Sequence, residues 1–310
     1  MLPQSYEKHF PVMLQEVLLA LAPEDGKVYV DATFGNGGYS EALLKAADCK
    51  VIALDRDPGV AARVEEMKKL YGNRFDFYAG QFGNFAELVN RPVDGAVFDI
   101  GVSSMQLDEA RRGFSFSKDA PLDMRMSQKG ISAADIVNNS DEKELADIIY
   151  KYGEERKSRQ IARRIIEARK NAPIETTKQL AEIIYTVIHK KFNEIDPATR
   201  TFQALRIAVN NELDELEKGL TGASALLAPS GRLAVVTFHS LEDRIVKNFF
   251  NKNSGKGKGV SRYMPELPNH DDVIFAECSK AIAPSAEECE LNKRSRSAKL
   301  RYAVKKSTQS

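Results

Sequence analysis

Three acidic residues of this chain each close an apolar run. Asp31 ends Val28-Tyr29-Val30, Asp55 ends Val51-Ile52-Ala53-Leu54, and Asp99 ends Ala96-Val97-Phe98. One acid at a strand end is ordinary. Three gathered on one edge of a parallel sheet form a site, because like charges packed together need a cationic or multiply donating ligand to offset their repulsion. The first acid leads into a turn carrying Gly35, Gly37 and Gly38, followed by Glu41-Ala42-Leu43-Leu44-Lys45 at helical spacing. In open α/β sheets the ligand lies beyond the first strand, over the helix N-terminus. Glycine suits such a turn because a Cβ would block close approach of the backbone to a ligand. A tight turn without a ligand has the same composition, so spacing has to decide.

The spacing departs from the dinucleotide fingerprint G-x-G-x-x-G, whose third glycine would fall at Ser40. With Asp31 just ahead of it, the turn resembles an S-adenosylmethionine loop more than a pyrophosphate cradle. Asp55 lies about twenty residues further on, where nucleotide folds place a ribose-binding carboxylate. Its alternative is a cap on the next helix, which Asp57 is able to fill. Phe82 closes the run 75–82 and is placed to flank an adenine ring, or to serve as a core aromatic.

These residues imply strands over 28–31, 50–55, 75–82 and 94–99, with helices at 14–21, 58–70 and 85–89. The βα rhythm then stops. Residues 107–199 read as a helical insertion with runs at 132–138, 141–152, 154–170 and 177–189, and capping signals at Ser140-Asp141 and Thr176-Thr177. The third run carries Arg156, Lys157, Arg159, Arg163, Arg164, Arg169 and Lys170, either a solvated face or a phosphate-contacting one. The rhythm resumes with a helix over 202–220 and a strand over 231–238. A helix follows whose start resembles a Ser240–Asp243 capping box. His239, at that junction, reads as a proton shuttle or a helix-start residue. Residues 251–262 form a basic loop. Strands at 272–278 and 298–304 form an antiparallel pair at the end of the sheet, and 305–310 fray. Domains of 1–106 with 200–310, and of 107–199, follow.

The 310 residues are 43% apolar and 29% charged, with a formal net charge of +1. This describes a soluble globular protein whose affinity for nucleic acid comes from local patches. Cys49, Cys278 and Cys289 are far apart and form no C-x-x-C, which fits a reducing cytoplasm and speaks against structural zinc or disulfides. No signal peptide or membrane-length apolar run is expected.

Together these motifs resemble the RsmH (formerly MraW) family of ribosomal-RNA methyltransferases. The resemblance rests on His9-Phe10-Pro11-Val12, Asp31–Ser40, Asp55-Arg56-Asp57-Pro58, Asp99–Ser104 with Gln106-Leu107-Asp108, Arg112–Phe116 and Pro121–Met126. Gly153-Glu154-Glu155-Arg156, Pro197–Ile207, Phe238–Lys247 and Arg294–Arg301 continue it. It implies a class I S-adenosylmethionine-dependent methyltransferase fold: a Rossmann-like, mostly parallel, seven-stranded sheet interrupted by a helical, RNA-recognising domain. It implies N4-methylation of a cytidine in the decoding region of 16S rRNA, within the 30S subunit, supporting decoding fidelity. Gly37, Gly38, Tyr39, Asp55, Phe82, Asp99 and Gln106 match the family's cofactor contacts, and Gly35 belongs to the same turn; no metal is implied. Tyr39 stands where His is frequent, Asn36 where Arg or Ala is, and Asp196 where His precedes Pro197.

Methyl transfer from a sulfonium is an in-line displacement that needs positioning rather than a metal. The exocyclic amine of cytosine is a poor nucleophile, and an acceptor near it would localise the lone pair and take a proton. Asp99 is the candidate. The loop after it has no cysteine, against C5 methylation. A flipped-out base is expected, with the helical insertion as clamp. The rivals are a methyltransferase for another acceptor, an NAD-dependent dehydrogenase and a non-catalytic RNA-binding module. The G-x-G-G turn and the three acids speak against the last two.

Overall fold

The computed structural model describes residues 11–190, 194–255 and 273–307. His9, Phe10, Asp272 and most of the basic loop expected at 251–262 lie outside the described residues. The chain divides into two compact units, residues 1–101 with 213–310, and residues 102–212. The sequence placed these boundaries at 106/107 and 199/200.

The first unit begins with α1 (Leu14–Leu21), β1 (Val28–Asp31), α2 (Gly38–Ala46) and β2 (Lys50–Asp55), then α3 (Ala61–Tyr71), β3 (Phe75–Ala79), α4 (Phe85–Val89) and β4 (Val93–Asp99). The second unit carries α5 (Ser104–Asp108), α6 (Ala133–Asn139), α7 (Glu142–Gly153), α8 (Ser158–Arg169), α9 (Thr177–Tyr185) and α10 (Ala198–Asn210). The chain returns through α11 (Glu212–Leu226), β5 (Leu227–Thr237), α12 (Ser240–Asn253), β6 (Phe275–Cys278), α13 (Ala286–Leu291) and β7 (Lys299–Lys305).

The seven strands lie in the order β3-β2-β1-β4-β5-β7-β6. β1 to β5 are parallel, and β7 joins β5 and β6 antiparallel. The parallel strands are apolar because helices cover both faces: Val30, Ile52, Leu54, Ala96, Phe98, Leu233 and Val235 are all buried in one core with Phe85, Leu220 and Phe250. The order reverses between β1 and β4, and a crevice opens at the carboxyl ends of strands around such a switch point. Asp31, Asp55 and Asp99 are the last residues of β1, β2 and β4.

Two of the differences from the sequence reading have a local physical cause. The single helix expected over 202–220 is two helices, because Asn211 turns left-handed (φ 52°) and ends α10; asparagine tolerates that conformation. The tail expected to fray from 305 instead starts with an ordered strand residue. Lys305 Nζ donates to the Ser224 and Ala225 carbonyls in the last turn of α11, where a cation suits the helix dipole, and to the Leu227 carbonyl that opens β5.

The second unit has its own core of Leu145, Ile149, Ile161, Ile165, Leu180, Ile184 and Leu205. On α8, Arg169 donates to the Val137 and Ser140 carbonyls and Arg164 pairs with Glu167. Lys157 donates to the Val187 carbonyl. Arg156, just ahead of α8, and Arg159 and Arg163 on it are exposed, Arg163 with Glu142 at 3.7 Å.

Candidate active site at the carboxyl edge of the sheet

Asp31 is fully buried. Its Oδ2 accepts from Ser40 Oγ (2.7 Å) and Ser40 N (3.1 Å), and its Oδ1 from Thr33 N (3.3 Å). The carboxylate thus ties the end of β1 to the first turn of α2. Burial outweighs these donors and raises its pKa to about 6.

Between Asp31 and α2, Gly35 (φ 50°) and Gly37 (φ 73°) adopt the left-handed conformation. Gly38 needs its missing side chain for another reason: a Cβ there would stand 2.2 Å from Pro11 Cγ. Gly35 N donates to Asp55 Oδ2 (2.7 Å), and Asp57 N to Asp55 Oδ1 (2.8 Å). Asp57 does cap the next turn, accepting from Gly59 N. Asp55, however, is drawn into the loop as its brace. Each of its oxygens keeps a lone pair for a hydroxyl donor. Burial, reinforced by the charge of Asp57, raises Asp55 to about 6 against the backbone donors.

Asp99 is the most perturbed of the three. Its backbone N donates to Thr33 Oγ1 (2.7 Å), which locks β4 to the Gly-rich turn. Its Oδ1 is sealed from solvent and has no hydrogen-bond partner. Burial first, then the charges of Asp31 and Glu242, push its pKa to about 8, with the Tyr39 hydroxyl opposing them. Tyr39 is buried and donates to the Val12 carbonyl (2.5 Å). Burial and the Asp99 charge hold its own pKa well above the usual phenol range.

Phe82 is half-buried, edge-on to Phe98 (ring centroids 5.7 Å apart), and a Cβ on Gly219 would lie 2.9 Å from its ring. Its ring belongs to the core margin as much as to the crevice. Glu215 Oε2 fixes that loop by accepting from Gly83 N (3.2 Å). Gln106 belongs to the second unit. There it is buried and its Oε1 accepts from Ser103 N in the capping box of α5.

The start of α12 is one residue earlier than the sequence suggested. His239 is the N-cap and the box partner is Glu242, not Asp243. Glu242 is fully buried; its Oε2 accepts from Phe238 N (2.8 Å), and its Oε1 lies 2.8 Å from His239 Nε2. Asp243 instead pairs with Arg301 (2.7 Å) and Lys299 (3.3 Å) on β7. Histidine is not among the usual N-cap residues, so the serine after it drew the assignment. Glu242 and Thr33 are the site residues that sequence reading missed. The Glu three places after His239 was the available signal.

The acids, the Cβ-free turn and the unpaired Asp99 oxygen fit a cationic ligand that also presents hydroxyl donors. With the sheet order, they define a class I S-adenosylmethionine-dependent methyltransferase domain. A family model described as the MraW methylase family matches residues 6–306. The protein named ribosomal RNA small subunit methyltransferase H from Rickettsia bellii (strain OSU 85-389) is 54% identical over 302 residues, covering 96% of this chain and 99% of its own. Its namesake from Rickettsia canadensis (strain McKiel) is 55% identical over 300 residues, covering 96% and 97%. That from Paramagnetospirillum magneticum (strain ATCC 700264 / AMB-1) is 53% identical over 307 residues, covering 97% and 96%. The chain belongs to the MraW methylase family and is a methyltransferase with S-adenosylmethionine as its methyl donor.

Proposed function

We propose that this enzyme methylates N4 of a cytidine in the decoding region of 16S rRNA, acting in the cytoplasm on the 30S subunit and supporting decoding fidelity. The names of the relatives support a small-subunit rRNA substrate. The observation that carries the choice of a nitrogen acceptor is Asp99, a strand-end carboxyl with an unpaired buried oxygen and a pKa of about 8. A base poised near the operating pH is the most effective kind.

S-adenosylmethionine supplies an electrophilic methyl on a sulfonium. Asp55 accepts from ribose hydroxyls, and Gly35, Gly37 and Gly38 admit the donor close to the backbone. Asp99 Oδ1 would accept from the target amine and take its proton as the nitrogen gains the methyl and the sulfur–methyl bond breaks, the sulfonium leaving as the neutral thioether of S-adenosylhomocysteine. A cation near Asp99 offsets the Asp31 and Glu242 charges that hold its proton on, and so frees the carboxylate for that role.

Mass mapping of 16S rRNA from cells with and without the protein tests the assignment. One cytidine is expected to lose one methyl, and chromatography against standards is expected to identify it as N4. Unchanged 16S rRNA, or a methyl lost from a carbon, would overturn it.

The helical unit is proposed to grip the RNA through Arg156, Arg159 and Arg163. Arg159→Glu with Arg163→Glu is expected to raise KM for subunits by about tenfold or more and to flatten its salt dependence by roughly 0.7–0.9 per lost phosphate contact. Donor affinity should stay at the wild-type value. An unchanged KM and salt slope would leave this a merely solvated face.

A further inference from the structure

The Gly-rich turn is covered by the chain that enters α1. Pro11 lies against Gly38, and the Val12 carbonyl accepts from the Tyr39 hydroxyl. Met13, fully buried, is held at φ 54°, a left-handed conformation that a methionine keeps only when its surroundings impose it. The restraint is visible. Met13 N donates to Glu288 Oε1 (2.6 Å), and the same oxygen accepts from the buried Ser295 Oγ (2.7 Å). Met13 offers no side-chain cap to α1; Glu288, 275 residues away in sequence, takes one of its N-terminal donors instead. Glu288 is also close enough to act electrostatically on Tyr39. The segment entering α1 is thus tied to α13, far along the chain, beside the turn.

We infer that Glu288 is a positioning residue for the methyl-donor site: its carboxylate clamps Pro11–Met13 onto the Gly35–Tyr39 turn and so sets how tightly the donor is held. This rests on reading that turn as the cofactor loop. A hydrogen bond to a charged group is stronger than one between neutral partners, and losing it frees the segment that packs on Gly38 and Tyr39. The turn itself stays braced by Asp31 and Asp55, so the loss falls on donor retention rather than on transfer.

Titration calorimetry with S-adenosylhomocysteine, alongside kcat at saturating donor, tests the inference. Glu288→Ala is expected to raise Kd about tenfold, equivalent to about 1.4 kcal/mol, with kcat within about twofold of wild type. Glu288→Gln keeps an amide oxygen for Met13 N and should recover most of the affinity. Lys305→Met, which removes the remote helix cap, should lower Tm and leave Kd alone. Wild-type affinity in Glu288→Ala, or an equal loss in Lys305→Met at matched Tm, would overturn the clamp. Should Glu288→Ala fail to fold, Ser295→Ala carries the test: a Kd raised about twofold to threefold, as the loosened Glu288 predicts, supports the clamp, and an unchanged Kd refutes it. Asp55→Asn separates the two readings. If it binds as wild type, the cofactor-loop reading itself fails; if it weakens binding while Glu288→Ala does not, only the clamp fails.

Discussion

Asp99→Asn is expected to abolish methyl transfer and at the same time to stabilise the donor-free protein at alkaline pH. The amide keeps the size of the carboxyl but cannot take a proton from an amine. The loss expected of a missing general base is about 10²–10⁴ in kcat. Quench-flow or filter measurement of methyl transfer to subunits at saturating donor reads this directly. Turnover near the wild-type rate would remove Asp99 from the proton-accepting role. Lost donor binding with no other defect would reassign it to the cofactor.

The stability half follows from the same carboxyl. Unfolded, an aspartate titrates near 3.9; folded, Asp99 titrates at about 8, and Asp31 and Asp55 at about 6. Between those values the native state keeps protons that the unfolded chain has released, so stability falls as pH rises. The fall should begin near pH 4 and continue to about 8, with Asp99 alone responsible for its upper part. In Asp99→Asn the curve should flatten above about pH 6 and lie higher than wild type by on the order of a few kcal/mol near pH 8. Thermal unfolding without donor, from pH 5 to 8.5, measures it. A variant less stable than wild type throughout would mean that the carboxylate is not held against its preference. A cationic donor acts in the opposite direction, so wild-type affinity for it should tighten as Asp99 ionises.

How much of this was legible in the sequence depended on the range of the interaction. Strand ends were legible because an apolar run closed by an acid is a local signal, and Asp31, Asp55 and Asp99 do end β1, β2 and β4. The glycines were legible for the same reason. What they are for was not: Gly38 is small because Pro11 lies against it, a contact between residues 27 apart in the chain. The carboxylates read as ligand contacts turned out to be braces as well, since their hydrogen bonds reach Gly35 from Asp55 and Ser40 from Asp31. Glu242 was passed over because its influence on Asp99 is a through-space charge from the first turn of α12 to the end of β4. Local propensity has no access to that, and histidine as a cap concealed it. The basic run on α8 shows the same limit. Seven cations were visible, but the use of Arg169 to hold two carbonyls depends on tertiary packing.

Gly113→Ala is expected to separate the two units functionally. Gly113 sits at φ 71°, where a Cβ would lie 2.2 Å from the Pro121 carbonyl oxygen and 2.7 Å from Asp123 N. Both are backbone atoms, and their strand of chain is stitched down. Met124 N donates to the Arg112 carbonyl, and the buried Arg112 guanidinium donates to the Arg125 and Met126 carbonyls. Asn210 from α10 then accepts from Met126 N and donates to the Met124 carbonyl. Nothing there can retreat without breaking bonds to the helical core. Left-handed strain and backbone overlap together should cost the helical unit about 3 kcal/mol or more. Hydrogen exchange should rise across residues 102–212, while S-adenosylhomocysteine still binds the first unit with near wild-type Kd. If the helical unit grips the RNA, transfer to subunits should fall by at least about tenfold, entirely through KM for the subunit if a folded fraction persists. Asp99→Asn is the mirror case, with the fold intact and the chemistry lost. Wild-type exchange and kinetics in Gly113→Ala would show that the segment after Asp99 yields more easily than its hydrogen bonds indicate. Lost transfer together with lost donor binding would show that the methyl-donor site depends on an intact helical unit.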